Sequence, residues 1–414
     1  MIRRFVLLAL LLPTLLLPHI TLAQALPVFS DAGPDAASYG AAQGYPMAAP
    51  DTRIDQRTIV GSYSHFDQIR PARSLPAAPQ PSTLARAPQE LQLSYEFQGN
   101  TQTIDSYLER NPATGLLVLN EHTILYEHYR YARTDKDRFT SQSMAKTIVA
   151  MLVGIAVSEG AIGSLDDLVS AYLPELASSE AGRTPLRALL SMTSGMRFHE
   201  VYDGKDDIMR LSRALMRPDG GGAIDAATQF TTRSQLPGGV FNYSGLDTEL
   251  LGLVVARATK MPLTAYMASR IWTPIGAEAS ASWTIDTKGH EVAYCCFNAV
   301  LRDWGRLGVL LAQDGAWEGR QIISRPFLLD ATTPSAPFLA PGNGRKLGYG
   351  YQVWLLPGDR RQFALRGIYG QTMLIDPQTR TVLVHTAARP NATHNGGEAE
   401  LMALWNALVA QRAS

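Results

Sequence analysis

The residues best suited to covalent chemistry are Ser143 and Lys146, in the run Ser143-Met144-Ala145-Lys146. A serine and a lysine three residues apart at a helix start lie on one face, so the ammonium reaches the hydroxyl. A serine hydroxyl alone is a weak nucleophile, and a neutral lysine can take its proton. That requires burial, because a free lysine keeps its proton to about pH 10.4 and desolvation lowers that value. The chain has six lysines, and only Lys146 has a serine three residues before it. It leads into Thr147-Ile148-Val149-Ala150-Met151-Leu152, which predicts a buried helix rather than a surface lysine behind an N-cap serine. The backbone N–H groups at such a helix start suit a developing oxyanion. Other chemistries lack their residues. His199-Glu200 and His290-Glu291 both fail His-Glu-x-x-His, so no metal spacing is present. No serine has glycine at both −2 and +2, so the α/β-hydrolase elbow is absent. No cofactor is expected.

Strands and helices must position this pair. Gly115 to Tyr131 reads as a hairpin, with Leu116 to Leu119 and Ile124 to Tyr126 around the turn Asn120-Glu121-His122-Thr123. Thr147 to Ser158 reads as a helix that Gly160 and Gly163 end, and Asp247 to Thr259 and Leu301 to Gln313 read as helices too. Residues 195 to 245 are rich in Gly, Asp and Arg and read as long loops, a usual place for a binding site. Near the end, Thr372 to Ile375 and Thr381 to His385 flank the turn Asp376-Pro377-Gln378-Thr379, and a helix from Glu398 to Arg412 follows. Strands at both ends with helices between predict an α+β fold: one antiparallel sheet joining the termini, flanked by helices, plus a mostly helical region.

Composition narrows the class. With 37 basic and 37 acidic residues in 414, no basic surplus points to nucleic acid. Apolar content of 46% excludes a wholly disordered chain, and two cysteines exclude a disulfide scaffold. Residues 1–25 read as a secretory signal: Arg3 and Arg4, an apolar run from Phe5 to Leu17, then Ala23-Gln24-Ala25. That run is too short for a bilayer span, which takes about 20 residues. Without Arg3 and Arg4 the balance is 35 basic to 37 acidic, a charge near −2. A periplasmic or secreted protein follows, with no stable membrane span after cleavage. Nine of the 25 prolines fall between Pro27 and Pro88, so residues 26–92 read as a linker or extended arm. Ile59, Val60, Tyr63 and Phe66 favour a partly ordered arm, and the globular domain is expected over 93–414.

Five segments together resemble one family. They are Phe139-Thr140-Ser141-Gln142-Ser143-Met144-Ala145-Lys146, Leu189-Leu190-Ser191-Met192-Thr193-Ser194-Gly195, Phe241-Asn242-Tyr243-Ser244-Gly245, Leu301-Arg302-Asp303-Trp304-Gly305-Arg306 and Arg366-Gly367-Ile368-Tyr369-Gly370-Gln371. In this order, over residues 100 to 412, the chain resembles the serine β-lactamase and penicillin-binding-protein superfamily. Within it, the chain is most similar to the branch of 6-aminohexanoate-dimer hydrolases and class C-like esterases. The resemblance implies a β-lactamase-like fold with the serine–lysine site between the sheet and the helical region. It implies that Tyr243 moves a proton beside Ser143 and Lys146, as a phenolate or a relay. It further implies an oxyanion hole from the N–H groups of Ser143 and Ile368, with Arg366 meeting a substrate carboxylate and Gly367 matching the family's strand glycine. Tyr202 matches a loop tyrosine that caps a substrate amide, and a surface tyrosine reads equally well. Two departures stand out: Gly245 replaces the lactamases' asparagine, and no lysine precedes Gly367. Cys295-Cys296 can close only a strained ring, so two buried thiols are expected.

The expected function is hydrolysis of small esters or linear amides through an acyl-enzyme. Two alternatives stand beside it: a D,D-peptidase or β-lactamase, and a non-catalytic binding or sensor module of the same fold.

Overall fold

The structure is a computed structural model that describes residues 32–413 apart from 51, 53, 343 and 394–396. The signal-like segment 1–25 lies outside the described residues. The largest sheet has eight strands. Their spatial order is Gly348–Tyr349, Trp354–Leu355, Phe363–Arg366, Thr372–Asp376, Thr381–Ala387, Ala113–Asn120, Thr123–Tyr129 and Ala85–Arg86. The pairing of Thr381–Ala387 with Ala113–Asn120, Val384 opposite Leu117, joins the two ends of the chain. Every pairing in this sheet is antiparallel except the edge strand Ala85–Arg86, which runs parallel to Thr123–Tyr129.

The continuous apolar run 116–119 follows from burial on both faces of the sheet, since alternate side chains of a strand point to opposite sides. Leu116 and Val118 face Leu404, Trp405 and Leu408 of the terminal helix Gly397–Ala413. Leu117 and Leu119 face the helix Leu301–Ala312 instead. That helix packs tightly because Gly305 and Gly308 carry no side chain. A Cβ on Gly305 would lie 2.5 Å from Leu119, and one on Gly308 would lie 2.4 Å from Val382.

A second sheet of four strands holds the serine turn, in the order Ala72–Leu75, Ala281–Thr284, Phe297–Ala299, Phe139–Thr140. Its first strand comes from the proline-rich arm. Ile59, Val60, Tyr63 and Phe66 are buried in the short helices Ile59–Ser64 and Phe66–Ile69. Further on, the Ser82 N–H donates to the Gly276 carbonyl at 2.8 Å, and Arg306 donates to the Ser82 carbonyl at 2.6 Å. Prolines stop this segment from forming a helix, and such contacts hold it extended against the domain.

Residues 195 to 245 differ from the loop expectation. They contain the helices Asp207–Met216 and Ala223–Thr228. The Asp206 carboxylate caps the first by accepting from Met209 N, and Ile208, Leu211 and Leu215 form its buried stripe. The glycines and charges around this stripe obscure its spacing in the sequence.

Candidate active site

The serine turn is set by its neighbours in the small sheet. Ser141 N–H donates to the Phe297 carbonyl at 2.7 Å, and Phe297 N–H donates to Ser141 Oγ at 3.0 Å. Gln142 then takes a left-handed backbone, φ 43°, and the chain turns through Gln142–Met144 into the helix Ala145–Ser158. Strained non-glycine backbone of this kind concentrates at functional sites. Every residue from Ala145 to Ala156 is buried, which takes Lys146 out of water with the rest. Ser143 stays partly exposed at the mouth of the turn.

Lys146 is 1% exposed. Its Nζ lies 3.0 Å from Ser143 Oγ and 3.2 Å from the Tyr294 carbonyl. The nearest carboxylate oxygen is Glu200 Oε1 at 4.0 Å. The rings of Tyr243 and Tyr294 close the remaining sides, with centroids 4.9 and 5.4 Å from Nζ. Burial pulls the Lys146 pKa below its ordinary value, and the charges of Glu200 and Glu249 oppose that only in part.

Tyr243 precedes the helix Gly245–Thr259, whose N-cap Ser244 accepts from Asp247 N–H at 3.3 Å. Its ring stacks on Trp354, 5.4 Å between centroids and 29° between planes. The Ser143 hydroxyl acts on both Tyr243 and Tyr202, opposing in part the rise in their pKa that burial causes. Burial raises the Tyr243 pKa well above its ordinary value, and Glu200 adds to the rise. The same dry environment therefore acts with opposite effect on the two groups. It favours a neutral amine at Lys146 and a protonated phenol at Tyr243.

Sequence reasoning missed Glu200. Its Oε1 accepts from Tyr202 Oη at 2.6 Å, and its Oε2 accepts from Gly245 N–H at 2.7 Å. One carboxylate thus ties the loop of Tyr202 to the helix start after Tyr243, beside Lys146. No spacing in the chain links position 200 to 146, so no signal in the sequence could have found it. At Gly245 the N–H is taken by Glu200, and a Cβ would lie 2.6 Å from the terminal methyl of Ile208, which would have to turn aside for a side chain at this position.

The structure brings the strand end Arg366-Gly367 against the serine turn. A Cβ on Gly367 would lie 2.6 Å from the Ser141 carbonyl, so glycine is needed for the close approach of this strand end to the serine turn. Arg366 is paired with Glu398 of the terminal helix, both side chains part-exposed, and lies over Trp354, 5.6 Å from its ring centroid. One expectation is corrected: Cys295 and Cys296 form a disulfide rather than two thiols. The left-handed backbone at Cys296, φ 69°, brings the adjacent side chains together directly after Tyr294, whose carbonyl faces Lys146. Among the described residues no group of three His, Cys, Asp or Glu could hold a metal, and no helix is long and apolar enough to cross a membrane.

The fold is α+β, with two larger sheets flanked by helices and Lys146 buried against Ser143. The chain belongs to the β-lactamase family, whose model matches residues 100–405. It is 25% identical over 297 residues to a 6-aminohexanoate-dimer hydrolase from Paenarthrobacter ureafaciens, covering 70% of this chain and 76% of that one. In three dimensions it resembles a structure assigned as a 6-aminohexanoate-dimer hydrolase from Bacillus anthracis. That match has a TM-score of 0.79 and 24% identity, and covers 88% of this chain and 96% of the other. A D-stereospecific amidohydrolase from Streptomyces sp. shares the fold at a TM-score of 0.54 and 17% identity, over 72% of this chain and 94% of its own.

Proposed function

We propose that the protein hydrolyses small esters or linear amides through an acyl-enzyme on Ser143. The observation that carries this reading is the 3.0 Å contact between Ser143 Oγ and a lysine that is 1% exposed. Neutral Lys146 takes the proton as Oγ bonds to the substrate carbonyl carbon, and the N–H groups of Ser143 and Ile368 receive the charge on its oxygen. As the tetrahedral adduct collapses, Tyr243 gives its phenolic proton to the departing alcohol or amine and regains one from Lys146. Water repeats the sequence on the acyl group, releases the acid and restores Ser143. Tyr243 serves as a relay rather than a phenolate, because its raised pKa keeps it protonated near neutral pH.

The 6-aminohexanoate-dimer hydrolase relative supports an amide or ester substrate. Glycine at 245, in place of the lactamases' asparagine, favours this over β-lactam hydrolysis. A fluorophosphonate probe followed by intact-mass measurement tests the reading. One adduct on the parent and none on Ser143→Ala is expected, and an unlabelled parent would indicate a binding module. A panel of esters, aminohexanoate oligomers and penicillins then sorts the substrate class, with turnover of penicillins alone contradicting the choice made here. The reaction is placed outside the cytoplasm on the signal-like segment 1–25, and the Cys295–Cys296 pair agrees with an oxidising compartment. N-terminal sequencing should find Leu26 first.

A further inference from the structure

Beside Ser143 the site has an aromatic wall. Tyr243 stacks on Trp354, Trp354 meets Phe241 at 6.2 Å, and Phe241 meets Tyr349 at 5.0 Å. A guanidinium lies at each end of this wall. Arg366 lies over Trp354 and is neutralised by Glu398. Arg345 lies over Phe241, its Cζ 3.9 Å from the ring centroid. Its backbone is fixed by a pair of hydrogen bonds with Gly342, 2.6 and 2.8 Å, and its Nε donates to the Leu347 carbonyl at 3.3 Å. Among the described residues no carboxylate lies within 4.0 Å of it, and its two terminal nitrogens have no hydrogen-bond partner.

We propose that Arg345, rather than Arg366 with its Glu398 partner, is the subsite for a carboxylate at the far end of the substrate. This rests on the hydrolase reading above and names its substrate class: esters or amides with an apolar chain that ends in a carboxylate. Stacking on Phe241 fixes the plane of the guanidinium and leaves its outer edge for two parallel N–H···O bonds. The chain between that edge and Ser143 then lies along Phe241 and Trp354.

The test uses two matched pairs of esters and the full-length protein. One pair carries the carboxylate on the acyl side: mono-4-nitrophenyl adipate against 4-nitrophenyl hexanoate. The other carries it on the leaving group: the butyrate ester of 6-hydroxyhexanoate against hexyl butyrate. In at least one pair the parent should prefer the carboxylate by about tenfold to a hundredfold in kcat/KM, the range of a charge-assisted hydrogen bond. Arg345→Gln, which keeps most of the packing on Phe241, should bring the ratio close to one, and Arg345→Lys should retain part of it. In 0.5 M salt the parent's preference should shrink. Binding of the carboxylated ester to Ser143→Ala, followed by calorimetry, gives the same comparison without turnover, so a failed subsite is distinguishable from a failed hydrolase. No preference in the parent, a preference that survives Arg345→Gln, or one that disappears in Arg366→Gln instead would each overturn the assignment.

Discussion

Arg306 and Lys146 are both 1% exposed, and each sits in a buried helix. Arg306 is fully engaged. It donates to Asp303 at 3.0 Å, to Glu278 at 2.9 Å, and to the Ser82 hydroxyl and carbonyl at 3.0 and 2.6 Å. Asp303 in turn accepts the backbone N–H groups of Glu278 and Ala279 at 2.9 and 3.0 Å. Lys146 has one carboxylate, at 4.0 Å, and its hydrogen bonds go to a hydroxyl and a carbonyl. A buried cation with paired anions stays charged and fixes structure, whereas one with weak compensation is driven toward its neutral form. The first arrangement clamps the arm to the domain. The second favours a neutral amine.

Three changes break or sharpen that contrast. The largest effect is expected from Lys146→Arg, which keeps the charge and cannot give up the proton. Single-turnover acylation by an activated ester should fall by at least about a thousandfold, as for the loss of one member of a catalytic unit. Near-parental acylation would mean that position 146 needs only a fixed charge, and Tyr243 would then be the base.

Arg306→Met comes next and acts on stability. It strands the buried Asp303 without its cation, leaves Glu278 only Arg302 at 3.5 Å, and should cost about 3–5 kcal/mol in urea unfolding, while fluorophosphonate labelling per folded molecule is unaffected. A loss of labelling without a loss of stability would erase the distinction between the two cations.

The smallest effect is expected from Glu200→Gln. Glu200 favours the charged form of Lys146, so removing its charge should lower the lysine pKa further. Acylation requires the neutral amine, so the rise of acylation rate with pH should move to lower pH. A shift of about one unit corresponds to about 1.4 kcal/mol. The glutamine oxygen can still accept from Tyr202, so an unmoved profile would show that the carboxylate only positions the loops.

Much of the frame was legible because it rests on local pattern. The continuous apolar run in 116–119, the apolar helix after Ser143 and the strand–turn–strand–helix ending each encode burial in their own sequence. The helix Asp207–Met216 was legible in principle through Asp206 and the stripe Ile208, Leu211 and Leu215, but its flanking glycines and charges hide it. The pair Ser143 and Lys146 is local too, since one helical turn brings them to 3.0 Å.

What the chain could not announce by itself depends on meetings between distant segments. Glu200 becomes Lys146's neighbour only when the loop of Tyr202 folds over the start of the helix Gly245–Thr259. Arg366 and Arg345 look alike as residues. The terminal helix neutralises one through Glu398, and the other rests on Phe241 without a carboxylate among the described residues. Composition and periodicity determined which residues are buried and which could react. Tertiary packing decided which charges are compensated, because Coulomb attraction and desolvation depend on distances that no spacing in the sequence contains.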